Sequence, residues 1–369
     1  MDSTIAIIGA GFSGLSLAHA LRQCEADVVL IDRNDNCPDI FRAEKIEPDQ
    51  SDLLRELGIL GFRQPKTSPI GETLNYNGEN YKKFDTVEQY GISYSQTVNN
   101  LRSNLPDSIR VVNQTVVNID NSSNEQKIFF SDKTSLNANL VVVCTGGGEK
   151  LISRLGIKRK LNSNLRSLSF GFDIERQDGA DFNFNGFNYF LSSNINDVHY
   201  ITIFPIGERM RVNLFTRLYP TDVLVKQIKL NTIHSLKSIF PGIFEQIGDI
   251  KVVSKVQVMP TAFYRLKNPV RSGIVIISDD YQSVNPATGT GLSKVLTDVK
   301  VLSQKYIPHW LDAGDFSKKN IREFYRDEIK QACDQKSMGS WFYYDNQVQT
   351  TKISIFTRIK QKMMSLGCL

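Results

Sequence analysis

The chain has few cysteines and no long apolar run. Its five cysteines stand far apart among 369 residues, and none belongs to a Cys-x-x-Cys pair. This pattern predicts neither a metal site nor a dithiol redox site. The small, odd number fits a reducing compartment. No run reaches the ~18 apolar residues that a membrane span needs. We therefore expect a cytoplasmic protein without a membrane span.

The charge distribution argues against a nucleic-acid partner. The net charge is only +5, and the basic residues are scattered instead of forming a stripe with interleaved aromatic residues. Hydrophobic residues make up 41% of the chain and charged residues 22%. These fractions are ordinary for a globular protein, and the length is ample for a sizeable core. The oligomeric state stays open.

The first 32 residues predict a strand–helix–strand unit. Residues 5–8 are a short β-branched run, residues 12–24 carry apolar residues at helical spacing, and residues 27–32 form a second apolar run. Such a unit indicates parallel strands in an α/β fold.

A glycine motif lies between the first strand and the helix. Gly9 permits a tight turn, Gly11 lets the backbone approach a pyrophosphate, and Gly14 lets the helix pack close to the sheet. The helix N-terminus offers free N–H groups to the anion. Asp32 ends the second strand and can accept from the ribose hydroxyls. The motif predicts a dinucleotide, and it leaves a nicotinamide and a flavin open. A carboxylate at Asp32 disfavours a 2′-phosphate there.

A second glycine-rich turn near the far end of the chain indicates the flavin. After an apolar strand at residues 273–277 come Asp279, Pro286 and the triplet 289–291, followed by a helical pattern. Asp279 can accept from a ribityl hydroxyl. The helix that opens at Gly289, Thr290 and Gly291 would present N–H groups to the flavin ring, where a helix N-terminus stabilises negative charge. We therefore expect FAD.

The segments between the two motifs suggest a discontinuous domain. We predict a Rossmann-like FAD-binding domain from residues 1–165 and 266–369. Residues 166–265, rich in aromatic and alternating segments, are predicted as an inserted antiparallel β-sheet substrate domain. Residues 41–62 are predicted to be helical, with Ser51 as the N-cap. The fold class is therefore α/β with a β-rich insertion.

Together the motifs resemble one enzyme family. IIGAGFSG with Asp32, FRAEKIEP with Arg42, and SDDYQSVNPATGTGLSKVLTDV resemble segments of the single-component FAD-dependent aromatic hydroxylases, the para-hydroxybenzoate hydroxylase type. The chain departs from that family in three places, one of which is the helix before residue 101, where SQTVNNLRSNL offers Gln96 instead of the usual arginine. Ser278 stands where the family has glycine, and CTGGG stands where it often has Asp-Gly. Residues and resemblance together predict these cofactor-binding residues: Gly9, Ala10, Gly11, Phe12, Ser13, Gly14, Asp32, Arg33, Arg42, Lys45, Val116, Thr145, Gly146, Asp279, Pro286, Gly289, Thr290, Gly291 and Leu292.

The resemblance also implies a reaction. NAD(P)H would reduce the flavin, O2 would add to it as a hydroperoxide, and one oxygen atom would pass to a small aromatic or polyene molecule. The protein's part would be to keep the site dry and to orient the substrate. Tyr189, Tyr200 and Phe204 are predicted to line the pocket. No catalytic base is assigned.

Three other functions remain open at this stage. A reductase similar to the geranylgeranyl reductases would share the Thr-Gly turn at Thr145 and both flavin motifs. A flavin-dependent halogenase is less favoured, since the WxWxIP motif of tryptophan halogenases is missing and Trp310 and Trp341 stand apart. The non-enzymatic alternative is a flavin-binding protein without turnover.

Overall fold

The computed structural model describes residues 3–59, 67–77, 80–191 and 197–340. The strands are β1 (Thr4–Ile8), β2 (Asp27–Asp32), β3 (Lys45–Ile46), β4 (Ser68–Tyr76), β5 (Tyr81–Gly91), β6 (Ile109–Asn113), β7 (Val116–Asn121), β8 (Gln126–Phe130), β9 (Ser135–Ala138), β10 (Leu140–Val143), β11 (Lys158–Arg176), β12 (Gly186–Phe190), β13 (Val198–Ile206), β14 (Arg209–Thr216), β15 (Ile250–Val252), β16 (Gln257–Lys267) and β17 (Ile274–Ile276).

The helices are α1 (Phe12–Ala20), α2 (Pro48–Glu56), α3 (Tyr94–Ser103), α4 (Glu149–Arg154), α5 (Val223–Leu230), α6 (Thr232–Ile239), α7 (Ile243–Ile247), α8 (Ser278–Tyr281), α9 (Gly291–Val301), α10 (Ile307–Ala313), α11 (Lys318–Arg326) and α12 (Glu328–Gly339). None of them is both long and apolar enough to cross a membrane, within the described ranges.

A five-stranded parallel sheet positions the site. Its order is β17-β10-β1-β2-β6, and its central strands consist of apolar residues that are buried on both faces, as in other helix-covered sheets. Because parallel strands end at the same edge, the turns after β1, β10 and β17 lie next to one another. That edge therefore collects the first glycine motif, the CTGGG turn and the paired aspartates.

The second sheet is antiparallel for most of its width. Its order is β15-β11-β14-β13-β12-β4-β5-β3, with β16 also paired to β11. Phe170, Phe172 and Leu214 on one side form a second core with Phe240 and its neighbours on α5 to α7. The opposite side, which carries Gly171, Tyr200, Arg211, Asn213 and Phe215, is called the site-facing side below. This α/β architecture confirms the predicted fold class.

The antiparallel sheet draws on more of the chain than the predicted range 166–265. Strands β3, β4 and β5 come from residues 45–91, and β11 begins at Lys158. Strand β4 could not be predicted from the sequence pattern, because a register shift between Pro69 and Gly71 breaks the alternation of apolar and polar residues that marks a strand. The parallel pairing of β4 with β12 is also non-local and leaves no sequence signal.

The helix predicted over residues 41–62 is wrong in its first part. Residues 45–46 are a strand, and α2 begins at Pro48. Glu47 is the N-cap, in a capping box with Gln50, and a proline at the first helical position strengthens this start. Ser51 is therefore not the cap. It lies inside the helix and donates to the carbonyl of Glu88 at 3.0 Å. Residues 60–62 lie outside the described residues.

Candidate cofactor and substrate site

The three glycines of the first motif have different surroundings. Gly9 has φ +108°, and a Cβ there would lie 2.6 Å from the carbonyl oxygen of Cys144. A Cβ on Gly14 would lie 1.8 Å from the carbonyl oxygen of Gly9, so helix and turn touch directly. At Gly11 the nearest atom would be the Tyr94 hydroxyl at 3.5 Å. Packing thus requires Gly9 and Gly14, whereas Gly11 borders open space at the start of α1.

Asp32 lies beside this turn, as predicted. One carboxylate oxygen accepts from the backbone N–H of Ala10 at 2.6 Å, and the other accepts from that of Asn34 at 2.8 Å. The backbone N–H of Phe12, at the first position of α1, points to the Tyr94 hydroxyl at 3.4 Å. Asp32 therefore holds the backbone of the turn directly, and its predicted contact with a ribose stays a prediction.

Two predicted residues lie apart from this cluster of contacts. Arg33 is exposed just after β2. Val116 begins β7 and is paired with Phe130 in the small three-stranded sheet β7-β8-β9. Their roles as cofactor contacts remain predictions.

The CTGGG turn is anchored by Asp280, which the sequence reasoning did not single out. This carboxylate is fully buried. It accepts from the backbone N–H groups of the four successive residues 145–148 and from the Thr145 hydroxyl at 2.8 Å. A row of backbone N–H groups around one carboxylate is a typical anion nest. Asp280 thus fixes the CTGGG turn from the segment after β17, and the tandem Asp279–Asp280 was its only signal in the sequence.

Arg42 connects three of the predicted segments. Its guanidinium lies 3.5 Å from the carboxylate of Asp279 and donates to the carbonyl of Gly146 at 3.2 Å. The Tyr264 hydroxyl donates to the backbone carbonyl of Asp279 at 2.6 Å and so fixes the turn. Arg42, Thr145–Gly146 and Asp279, separated by more than 100 positions in sequence, therefore form one cluster.

Ser278 joins the two glycine motifs. Its φ of +58° is left-handed, a region that serine seldom occupies and that explains the glycine usual in the related family. Its hydroxyl lies 2.6 Å from that of Ser13 on α1. Its backbone N–H donates to Asp298 at 2.8 Å. Hydrogen bonds on both sides hold the strained residue in place.

The second glycine turn also borders open space. Pro286 begins a short 3₁₀ turn, Gly289 follows with φ +67°, and α9 begins at Gly291 after Thr290. A Cβ at Gly289 or Gly291 would meet no described atom within 4 Å. The Gln50 amide on α2 donates to the carbonyl of Gly289 at 2.9 Å. Leu292, by contrast, is buried, and its side chain belongs to the core.

Four buried charges brace α9 against α12. Lys294 lies 2.9 Å from Asp298 and 2.7 Å from Asp334. Lys330 lies 2.9 Å and 3.0 Å from the same two carboxylates. Each side chain is at most 1% exposed. Burial opposes the charged form of Asp298, yet the two lysines lower its pKa to about 2. The square is neutral as a whole, so each buried charge has partners.

Aromatic side chains of the antiparallel sheet cover the second glycine turn. Tyr200 stacks on Phe215 and Phe190, with ring centroids 4.7 Å and 5.1 Å away. Its hydroxyl donates to the carbonyl of Ala287 at 2.6 Å. Tyr200 thus packs on the second glycine turn, and its role as a pocket-lining residue stays a prediction.

The other two predicted pocket residues, Phe204 and Tyr189, do not share the surroundings of Tyr200. The centroid of the Phe204 ring lies 6.0 Å from the amine nitrogen of Lys45 in β3. The prediction for Tyr189 is wrong. Its hydroxyl donates to the carbonyl of Pro241, and its ring packs on Phe240 in the opposite core. Successive strand residues face opposite sides, so Phe190 takes the site-facing position.

Glu44, next to the predicted Lys45, is buried between β3 and the site-facing side. It lies 3.2 Å from the guanidinium of Arg211 and accepts from the Asn213 amide at 3.0 Å. Burial raises the pKa of Glu44 from 4.5 to about 8; Arg211 opposes this shift and Asp173 adds to it. A carboxylic acid with this pKa changes charge near neutral pH.

These features agree with the predicted flavin-dinucleotide site. Gly11 and Gly289–Gly291 both leave backbone open at a helix N-terminus, and the contact between Ser13 and Ser278 joins α1 to the segment between β17 and α9. Such a double cradle suits a long ligand with a pyrophosphate at one end and a ring with a polar edge at the other.

Comparison with known sequences agrees with this assignment. Residues 2–307 match the sequence model of the FAD binding domain family, so the chain belongs to that family. FAD is its cofactor, and the protein is an FAD-dependent oxidoreductase. The resemblance to the flavin-dependent hydroxylases is thereby confirmed.

Individual relatives are distant. The FAD-dependent monooxygenase ctvC of Aspergillus terreus (strain NIH 2624 / FGSC A1156) is 25% identical over 154 residues, which is 38% of this chain and about a third (33%) of that protein. Among solved structures, p-nitrophenol 4-monooxygenase PnpA from Pseudomonas putida DLL-E4 superposes with a TM-score of 0.75 at 15% identity, covering 97% of this chain and 92% of that one. Halogenase PltM in complex with phloroglucinol and FAD gives 0.74 at 11% identity, covering 95% and 77%. These structures establish the shared fold.

Proposed function

We propose that the protein is an FAD-dependent monooxygenase that uses NAD(P)H and O2 to oxygenate a small aromatic or polyene molecule. The observation that carries the proposal is the contact between the Tyr200 hydroxyl and the carbonyl of Ala287, 2.6 Å apart. It seats an aromatic stack of the sheet directly on the turn that cradles the flavin ring. When bound, FAD supplies the redox chemistry between NAD(P)H and O2.

The chain's own residues have separate tasks in this proposal. The backbone at Gly11 and the N-terminus of α1 bind the pyrophosphate. Asp279, held by Arg42, accepts from the ribityl chain. The N-terminus of α9, from Gly289 to Gly291, faces the polar edge of the ring and stabilises negative charge there.

The sheet then closes the site from above. Phe190, Tyr200 and Phe215 exclude water and offer flat surfaces against which an aromatic substrate packs. Water exclusion matters in such chemistry because it suppresses side reactions of oxygen-bearing intermediates. The names of ctvC and PnpA, both monooxygenases, support this reading of the site.

A reductase is the second candidate, and the CTGGG turn is the feature that favours it. Thr145 and Gly146 stand where hydroxylases often have Asp-Gly, and Asp280 occupies the turn's N–H groups. A halogenase is the third, in view of the fold shared with PltM.

Oxygen stoichiometry separates these candidates. Purified protein carrying FAD is mixed with NADH or NADPH and a panel of phenols and polyenes, while oxygen uptake and product mass are followed. A monooxygenase consumes O2 only with substrate and places one atom of labelled oxygen in the product. Turnover without oxygen, with the substrate as sole oxidant, would establish a reductase instead. Products that require added chloride or bromide would establish a halogenase.

A further inference from the structure

The three basic side chains on or facing the segment that leads into β3 are all paired with carboxylates. Arg42 lies 3.5 Å from Asp279, and Lys45 lies 3.1 Å from Glu47. Arg211, on the site-facing side of the sheet, completes the set. In the part of the chain that the structure describes, each of these cations is thus matched by a carboxylate of its own.

Arg211 is the most strongly neutralised of the three. One guanidinium nitrogen lies 3.2 Å from Glu44, and another lies 3.2 Å from Asp173. Arg211 is 14% exposed and Glu44 only 4%. At such burial an ion pair is weakly screened, so a bound molecule would meet the two carboxylates as well as the cation.

Uncharged polar groups surround this pair. Asn213 is opposite Gly171 on one neighbouring strand and Thr202 on the other. Ser169, two positions before Gly171 and therefore on the same side, is 2% exposed. Its hydroxyl has no hydrogen-bond partner among the described residues. A buried hydroxyl without a partner is uncommon, so Ser169 adds an uncharged polar group to this side of the sheet.

We propose that Glu44, when ionised, is a specificity-determining residue: it neutralises Arg211, so that the site then accepts an uncharged aromatic molecule in preference to one bearing a carboxylate. This inference rests on the proposed function, because it concerns the substrate of the same site. A buried arginine without a partner would form a bidentate, charge-assisted pair with a carboxylate ligand. With Glu44 ionised, Arg211 is already paired, and Asp173 also lies 3.7 Å from Arg209, so a third carboxylate finds no unpaired cation in this cluster.

Binding of matched compounds tests the inference without turnover. Full-length protein with FAD, but without NAD(P)H, is titrated at pH 9, above the pKa of about 8 of Glu44, with pairs that differ only in one group, for example 4-methylanisole and 4-methoxybenzoate. Binding is followed by the change in flavin absorbance. We expect wild-type protein to bind the neutral member at least about tenfold more tightly, an energy difference of about 1.4 kcal/mol.

The Glu44→Gln variant should reduce that preference by about tenfold or reverse it, because Arg211 then keeps only Asp173. In Asp173→Asn the preference for the neutral compound should lie between that of wild-type protein and that of Glu44→Gln. Glu175→Gln is the matched control, since Glu175 lies on the same strand as Asp173, pairs with Lys251 and is 42% exposed. The ratio of the two dissociation constants should be the same in this variant as in wild-type protein.

Several results would overturn the inference. Tighter wild-type binding of the carboxylates would do so by itself, even if no variant folds. So would an unchanged ratio in Glu44→Gln, or failure of every pair to bind. Because no oxygen chemistry is measured, a negative oxygen-uptake result would refute the proposed function and leave this binding result standing.

Discussion

The hydroxyl oxygens of Ser13 and Ser278 lie 2.6 Å apart, although 265 positions separate the two residues. Ser13 belongs to the first turn of α1, and Ser278 opens the segment that leads to α9. This one buried hydrogen bond joins the helix of the first glycine motif to the segment that precedes the second glycine turn. The relative position of the two cradles therefore depends on a few side chains as well as on the sheet.

Substitution of Ser278 should separate strain from hydrogen bonding. Ser278→Ala keeps the left-handed φ of +58° and loses the bond to Ser13, so we expect a loss of about 1–2 kcal/mol in the free energy of unfolding. Ser278→Gly loses the same bond and also relieves about 1 kcal/mol of strain, so it should be close to neutral. Urea unfolding measures both. Equal losses in the two variants would show that the backbone carries no strain.

Substitution of Gly11 should remove the flavin without unfolding the protein. A valine there fills the open space in front of α1, so we expect a folded but colourless protein. Gly339→Ala is the control for the addition of a side chain alone, because a Cβ there meets no described atom within 4 Å and Gly339 is not one of the predicted cofactor-binding residues. Flavin absorbance and circular dichroism are compared. A fully yellow Gly11→Val protein would contradict the assignment of the first cradle.

The neighbouring aspartates should behave differently. Asp280→Asn removes a carboxylate that holds four backbone N–H groups, and we expect a loss of about 3 kcal/mol of stability. Asp279, whose side chain is 44% exposed, should tolerate Asp279→Asn with little loss of stability but with weaker retention of FAD. Unfolding curves and flavin content after gel filtration measure the two effects. If Asp279→Asn proves the less stable variant, the two roles have been exchanged.

The contrast between these two aspartates shows what the sequence predicted and what it did not. Asp279 fits a motif with fixed spacing, and Gly9, Gly11 and Gly14 do likewise, so local sequence is enough to predict both turns. The contacts of Asp280 depend on the pairing of β10 with β17, which brings together residues more than 130 positions apart.

The pairing of Arg211 with Glu44 depends in the same way on non-local strand pairing, because Glu44 directly precedes β3 and Arg211 lies on β14 of the same sheet. Strand β4 was missed because its alternation is broken at Pro69. Local spacing therefore predicts turns and helix starts, and non-local pairing decides which charges meet.

The buried acid Glu44 should make stability depend on pH. Its pKa is about 8 in the folded protein, against 4.5 when unperturbed. The folded state therefore binds the proton more tightly than the unfolded chain. Below about pH 4.5 Glu44 is protonated in both the folded and the unfolded state, so it does not affect stability. Between about pH 4.5 and 8 it ionises in the unfolded chain only, and the folded state loses stability as the pH rises. Above pH 8 it is ionised in both states, and the loss stays constant. By linkage the loss is at most about 5 kcal/mol.

Comparison with Glu44→Gln isolates this effect. The amide side chain of the variant cannot ionise. The free energy of unfolding of the variant, relative to that of wild-type protein, should therefore increase between pH 5 and 8. The charged groups facing Glu44 are Arg211, Asp173 and Asp39, and they remain in both proteins. The free energy of unfolding is measured at each pH unit from 5 to 9. Parallel curves would mean that Glu44 has an ordinary pKa.

The buried square of charges behind α9 should be strongly coupled. Lys330→Met leaves Asp298 and Asp334 with a single cation, and removing one partner of a buried ion pair typically costs about 3–5 kcal/mol. Lys336→Met, at an exposed position of the same helix, should cost far less. In the double variant Lys330→Met/Asp334→Leu the charges balance again.

We therefore expect the double variant to lose less stability than Lys330→Met alone, since the remaining pair of Lys294 and Asp298 is neutral. Denaturant unfolding of Lys330→Met, of Asp334→Leu and of the double variant gives the coupling energy. Because Asp298 also accepts from the backbone N–H of Ser278, the same variants should change FAD affinity in the order of their stability. Simple additivity of the two single losses would mean that the square does not act as a unit, and that α9 is held by its apolar contacts instead.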